Sequence, residues 1–238
     1  MILYYIRHGD PIYNPDSLTP LGERQAEALA KRLALYGVDK VYASTSTRAI
    51  QTSRPTCEIL KKEPELLEWA KEHHAYLDLT VEDEVYGKNW AFANEKFRNL
   101  FCSKEIRDLG DNWFDHPECK DRNFKKGIER IYNETDAFLQ SLGYEHIRYT
   151  GKYKVTKPND QRVAFFAHQG FGLAFLSCLL DIPYPAFATH FDFSHSSLTV
   201  IEFKEVNGYC VPKILTFSSD SHIYREGLPT KYNNYLYF

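Results

Sequence analysis

The sequence has no cysteine pair at C-x-x-C spacing, no apolar run long enough to cross a membrane and no surplus of positive charge. Its five cysteines (Cys57, Cys102, Cys119, Cys178, Cys210) are odd in number and widely separated. That argues against a disulfide framework or a zinc cluster and for free thiols in a reducing compartment. The apolar run at residues 2–6 is far shorter than the roughly 18 residues of a membrane span and too short for a signal-peptide core. A cytoplasmic location without a membrane partner is therefore expected. The net charge of −3 gives no global field for nucleic acid, so attraction for an anion has to be local. Repeats and low-complexity stretches are also missing. What is present is 238 residues, 43% hydrophobic and 26% charged, a globular profile able to bury a full core.

Strand and helix patterns alternate through the opening third. A strand at residues 2–6 leads into a loop. Thr19-Pro20 then reads as an N-cap with proline at the first helical position. Ala26, Leu29, Ala30 and Leu33 share a helical face, and Gly37 closes that helix. A second strand near 40–43 precedes a helix that Pro55 should kink or end. Leu66-Leu67 reads as a third strand. From about 69 to 149 charged and aromatic residues mix, which predicts a helical insertion closed by a helix near 124–142. Residues 151–160 read as a hairpin or loop. The alternation then resumes with a strand at 162–167, a helix from about 170 to 180, and strands at 197–203 and 214–217. The expected architecture is a single α/β domain over 1–238. It is a three-layer sandwich with a mostly parallel central sheet, helices on both faces and the insertion at 69–149. A ligand crevice is expected at the carboxyl ends of the strands.

Chemistry-bearing residues gather at those ends. Arg7-His8-Gly9 follows the first strand, Arg48 opens the second helix and His168 ends the strand at 162–167. Two guanidinium forks suit phosphate oxygens. Phosphoryl transfer needs positioning and charge stabilisation more than anything else. Gln169-Gly170, after His168, adds the amides of a helix N-terminus, which favour an anion. That leaves His8 as the nucleophile, attacking through one ring nitrogen while a backbone carbonyl near Gly9 holds the other.

Four motifs in order resemble the histidine phosphatase superfamily, the phosphoglycerate-mutase-like group. They are Arg7-His8-Gly9; Leu18-Thr19-Pro20-Leu21-Gly22 with Gln25-Ala26; Ser46-Thr47-Arg48-Ala49 with Gln51-Thr52; and Ala167-His168-Gln169-Gly170. The resemblance covers nearly the whole chain outside the insertion. It implies a metal-free, cofactor-free phosphohistidine mechanism on a small phosphorylated substrate. His8 would be the nucleophile, and Arg7, Arg48, His168 and Gln169 would form the phosphate pocket. Asn14 stands where the family often places a phosphate-contacting asparagine. The family also uses an acidic residue to protonate the leaving alkoxide. Glu68, after Leu66-Leu67, is the choice here, with Glu82 and Glu84 next and Glu72 and Asp83 also rivals. The glycine-tryptophan that follows this acid in the family is replaced by Trp69-Ala70.

The expected function is thus a phosphomonoesterase. The alternatives are a phosphoglycerate-type mutase, whose characteristic acidic-arginine-histidine-tyrosine-glycine stretch is missing, and a catalytically silent phospho-ligand module. His73-His74 and the group His190, Asp192 and His195 have metal-like composition without ligand spacing, so no metal is expected. Asp220-Ser221-His222 could border the pocket. Substrate and oligomeric state stay open.

Overall fold

The computed structural model describes residues 1–230. Strand β1 (Ile2–Arg7) is followed by the small hairpin β2 (Pro11–Tyr13) and β3 (Asp16–Leu18), then by α1 (Pro20–Tyr36). The Thr19 side chain caps α1 by accepting from the Gly22 amide at 3.0 Å, and Gly37 ends it at φ +76°. Next come β4 (Lys40–Ser44), α2 (Thr47–Leu60) and β5 (Glu65–Leu67). Pro55 lies inside α2 without ending it.

The stretch expected to be helical is mixed. Helix α3 (Glu72–Leu79) runs into an antiparallel hairpin, β6 (Thr80–Asp83) and β7 (Gly87–Trp90). Then follow α4 (Glu95–Phe101), α5 (Lys104–Leu109) and α6 (Phe124–Ser141), which buries Ile128, Ile131, Thr135 and Phe138 as its periodicity predicts. Strands β8 (Tyr144–Ile147) and β9 (Lys152–Val155) pair antiparallel, so the stretch expected as a hairpin or loop opens as the second strand of a hairpin. The chain continues through β10 (Arg162–Ala167), α7 (Gln169–Leu180), α8 (Tyr184–His190) and β11 (Leu198–Glu202). It ends with β12 (Glu205–Val206), β13 (Tyr209–Cys210), β14 (Lys213–Ser219) and α9 (Ser221–Arg225).

Six strands form one sheet in the order β14-β11-β1-β10-β4-β5. β1, β10, β4 and β5 are mutually parallel, and β11 is antiparallel to both its neighbours, so five strands point one way. A second sheet, β12-β13-β9-β8, stands apart from it. The period-2 alternation of the central strands separates two cores. Leu3 and Tyr5 of β1 and Val163 and Phe165 of β10 pack with α6 and α7 side chains, among them Ile131, Phe138, Phe171 and Phe175. Tyr4, Ile6, Ala164 and Phe166 face the other way, onto Leu29 and Leu33 of α1 and Cys57 of α2. Side chains of α6 and α7 thus meet one apolar row and those of α1 and α2 the other, excluding water from each.

The sequence's 17 tyrosines and 16 phenylalanines supply much of this packing. Tyr5, Phe165 and Phe175 interlock with Trp69, Phe138 and Phe171 over the sheet. All five cysteines are free thiols, four of them buried. Among the described residues no helix is long and apolar enough to cross a membrane.

One polar cluster pins α6 to the second sheet and to the end of α7. His146 is 1% exposed, with Nδ1 2.7 Å from Asp136 and Nε2 3.1 Å from Asp181. Its ring lies flat on Tyr153, centroids 4.2 Å apart. His146→Ala would strip Asp181, itself 4% exposed, of this partner. Asp181 would keep the Thr150 and Gly151 amides, so the loss is that of a buried hydrogen-bond partner, about 1–3 kcal/mol. A urea denaturation midpoint close to wild type would refute that expectation.

Candidate active site

Strand register brings the two histidines together. Arg7 of β1 lies opposite Ala167 of β10, so His8 and His168, the next residue on each strand, leave the sheet side by side. Their ring centroids are 5.3 Å apart. On the far side of β10, Ser44 at the end of β4 reaches His168 Nε2 at 2.8 Å. Ser46 and Arg48 follow in the turn and first residues of α2.

The turn after His8 can be made only by glycine. A Cβ on Gly9 would stand 2.7 Å from the Gly22 carbonyl oxygen, so the loop and the start of α1 could not approach as they do. The glutamines and threonine of the motifs hold this loop. Gln25 accepts from the Asp10 amide at 2.8 Å, Gln51 from the Leu18 amide at 2.7 Å and Thr52 from the Gly9 amide at 3.0 Å. These residues act by fixing backbone, not by chemistry.

His8 is 1% exposed, and its Nδ1 lies 2.7 Å from the Gly9 carbonyl oxygen. The carbonyl can only accept, so Nδ1 carries the proton and Nε2 keeps a lone pair for the cavity. Burial, then His168, Arg7 and Arg48, push the pKa of His8 well below the usual histidine value. The ring is therefore neutral, the form that can attack. His168 is wholly buried and also driven well down, by burial and then Arg48 and Arg7.

Arg7 donates to the Phe193 carbonyl oxygen and to His195 Nε2 at 2.7 Å. Arg48 donates to Asp16 at 2.7 Å and lies 3.7 Å from Glu72. Each guanidinium has five N–H donors, more than these contacts consume. The Nε atoms of both are buried and have no hydrogen-bond partner among the described residues. Donors remain for an oxyanion. If Arg48 stabilises charge that grows in the transition state, Arg48→Ala should cost about 100-fold or more in kcat. Arg48→Lys should recover only part, because the fork is lost. Equal rates for wild type and alanine variant would remove Arg48 from the site.

The acidic candidates separate sharply. The Glu68 side chain is 60% exposed and is engaged by Thr45, His74 and Lys71. The Thr45 and His74 hydrogen bonds hold its carboxyl below the usual glutamate value, the wrong direction for an acid. Glu82 and Glu84 lie on or beside the β6–β7 hairpin, outside the cavity lining. Glu72, the first residue of α3, is 17% exposed, and its Oε2 is 3.3 Å from His168 Nδ1. Its Oε1 accepts from the Phe171 amide at 3.1 Å, so amides at the start of α7 already meet this carboxyl. Burial raises its pKa, against the pull of Arg48. Of the acidic candidates, Glu72 is the one whose carboxyl the structure brings to His168, and Glu68 is not. The chain makes a short 3₁₀ turn at Glu68–Ala70 first, which carries the useful carboxyl one helical turn later.

Asn14 is exposed at the tip of the β2–β3 hairpin and does not line the cavity; its neighbours Tyr13 and Asp16 do. Asp16, two residues later, instead reaches both Arg48 and the Thr47 amide, at 2.7 Å each. Gln169 lines the cavity, but its amide donates to Asp192. His195, grouped in the sequence with residues of metal-like composition, instead meets Arg7, with its ring 5.8 Å from that of His8. No spacing rule would have found it. His222 is buried against Ser196 and borders a separate cavity of about 380 Å³. Ligand atoms of His8, Glu72 and His168 lie within 4.8 Å of one another, a nitrogen-and-oxygen set that could in principle hold a metal ion.

The resulting cavity has a volume of about 420 Å³, and Arg7, His8, Arg48, Glu72 and Gln169 are among its lining residues. Buried arginines, an imidazole with its lone pair presented and a carboxyl of raised pKa are the groups a phosphoryl-transfer site would need.

The family model of the histidine phosphatase superfamily (branch 1) matches residues 3–101, which include Arg7, His8, Arg48 and Glu72. That match covers about two fifths of the chain and makes its N-terminal part similar to that superfamily. No curated protein matches the sequence. Solved structures share its fold at low identity. Phosphoserine phosphatase from Entamoeba histolytica, in complex with 3-phosphoglyceric acid, is 19% identical with a TM-score of 0.59, covering 93% of this chain and 98% of that one. The mycobacterial glucosyl-3-phosphoglycerate phosphatase with inorganic phosphate is 15% identical, TM-score 0.59, with the same coverages of 93% and 98%. The alpha-ribazole phosphatase from Shigella flexneri is 18% identical, TM-score 0.59, covering 92% and 97%.

Proposed function

We propose that this chain is a phosphomonoesterase that works through a phosphohistidine on His8, on a three-layer α/β scaffold. The observation that carries the reading is the meeting of His8, Arg7, Arg48 and Glu72 on one cavity, with His168 directly behind. In the first step His8 Nε2 forms a bond to phosphorus and the ester oxygen leaves. Glu72, held towards its acid form by burial, gives that oxygen its proton. In the second step Glu72, now a carboxylate, takes a proton from water. The water oxygen bonds to phosphorus, the P–N bond breaks and inorganic phosphate departs. Arg7 and Arg48 hold the equatorial oxygens throughout.

The chemistry requires no metal, and the charge of the cavity supports that. A divalent cation among His8, Glu72 and His168 would face two guanidiniums in the same pocket. Both guanidiniums would repel it. The same groups attract a phosphate dianion. Activity that collapsed in chelator and returned with zinc would overturn this part.

Quenching turnover in alkali should trap an acid-labile, base-stable phosphoprotein, with phosphate as the released product and no isomerised ester. Isomerised product would indicate a mutase. A trapped phosphoprotein that does not turn over would indicate a binding module. That last reading loses its motivation once a buried carboxyl of raised pKa stands beside His168.

A further inference from the structure

Above the phosphate end, the cavity wall changes character. Three aromatic side chains line it: Tyr13 from β2, Tyr76 from α3 and Trp90 from β7. Trp90 and Tyr76 meet edge to face, centroids 5.3 Å apart and planes at 87°, forming a right-angled corner. The corner is rigid. Trp90 is stacked on Phe92 at 5.6 Å, and the Tyr76 hydroxyl donates to the Lys88 carbonyl oxygen at 3.0 Å. It is also close to the chemistry. The six-membered ring of Trp90 presses on Gly170, two residues after His168, where a Cβ would come within 2.4 Å of it. Tyr13 stands on the arginine side with its ring 5.5 Å from the Arg48 guanidinium, and it is 68% exposed.

A corner of this kind suits a flat ring. A flat ring laid against one face presents its edge to the other, satisfying both quadrupoles. A saturated sugar or a short acid chain would cover these rings without that gain. Resting on the phosphatase reading above, we propose that the substrates are phosphomonoesters whose leaving group carries a planar aromatic or heteroaromatic ring. The Tyr76–Trp90 corner selects it. Ring binding acts alike on ground state and transition state, so the selection should appear in KM and not in kcat.

Leaving-group acidity would confound a comparison of aryl with alkyl esters, so the test uses esters matched in that respect. The first pair is 2-phenylethyl phosphate and 2-cyclohexylethyl phosphate. The second is adenosine 5′-monophosphate and ribose 5-phosphate. In at least one pair the aromatic member should have a kcat/KM about tenfold higher, through KM, as expected for one stacked ring. Preference in the second pair alone identifies a nucleoside source, and in the first alone a simple aryl source; in both, the ring itself is recognised. Trp90→Leu should bring the ratio towards one, and Tyr76→Leu reads the same ratio should the first variant fail to fold. Equal kcat/KM within both pairs, or a ratio unmoved in a folded variant, overturns the proposal. Should no ester turn over, the phosphatase reading has failed. The ring preference is then read separately, by calorimetric binding of 2-phenylethylphosphonate against its cyclohexyl analogue, where equal affinities overturn it.

Discussion

His8→Ala should lower kcat for phosphomonoester hydrolysis by at least about 10⁴-fold, the scale on which loss of a covalent nucleophile is felt. The loss should fall on kcat far more than on KM. Arg7 and Arg48 do not depend on the His8 ring for their own placement: Arg7 is held by Phe193 and His195, Arg48 by Asp16. The variant should therefore still bind phosphate and vanadate, and no phosphoprotein should be trapped from it. The imidazole is wholly inside, so folding has to be checked by thermal melting against wild type. A folded His8→Ala protein that hydrolyses esters at the wild-type rate would end the phosphohistidine mechanism.

Glu72→Gln keeps the shape of the side chain and its acceptor oxygen for the Phe171 amide, but it cannot give or take a proton. General acid–base catalysis contributes about 10²–10⁴-fold, and the deficit should be largest for alkyl esters, whose alkoxide most needs a proton. An ester with an acidic leaving group, such as 4-nitrophenyl phosphate, should form phosphoenzyme with a much smaller deficit. Glu68→Gln serves as the contrast and should change kcat less than about twofold, since an exposed carboxylate away from the cavity has no proton to deliver there. A large loss at Glu68 with a small one at Glu72 would reverse the assignment.

The pH profile carries the same information. If Glu72 acts first as an acid, the rate should fall as pH rises through its elevated pKa. His8 must be neutral, and its lowered pKa keeps it so below the usual histidine range near 6.5. The optimum is thereby displaced to the acid side. Glu72→Gln should abolish the alkaline limb, whereas a limb unchanged in that variant would assign it to another group.

Much of this site was legible in the chain. The strand before Arg7-His8-Gly9, the helix start at Thr19-Pro20 and the strand before His168 follow from local signals: apolar alternation, capping chemistry and glycine where two backbones touch. These constraints act within a few residues, so they leave compact motifs. The Gly9 carbonyl as partner of His8 Nδ1 belongs to the same class, since it lies one residue away. The enclosed carboxyl does not. Glu68, Glu72, Glu82 and Glu84 offer the same carboxyl within sixteen residues, and nothing in their spacing marks which is enclosed. That depends on α3 packing against α6 and α7, with Gly127 of α6 so close to Asp78 that a Cβ would come within 2.4 Å.

By itself, then, the sequence determined the α/β alternation, the two strand ends that carry imidazoles and the arginines beside them. Only the tertiary structure decided that Glu72 and not Glu68 faces His168, that Asn14 points to solvent while Asp16 holds Arg48, and that His195 meets Arg7. The reason is that a pKa and a cavity wall are set by everything packed around a group. That surrounding comes from residues tens to hundreds of positions away, as with Arg7 and His195, 188 residues apart.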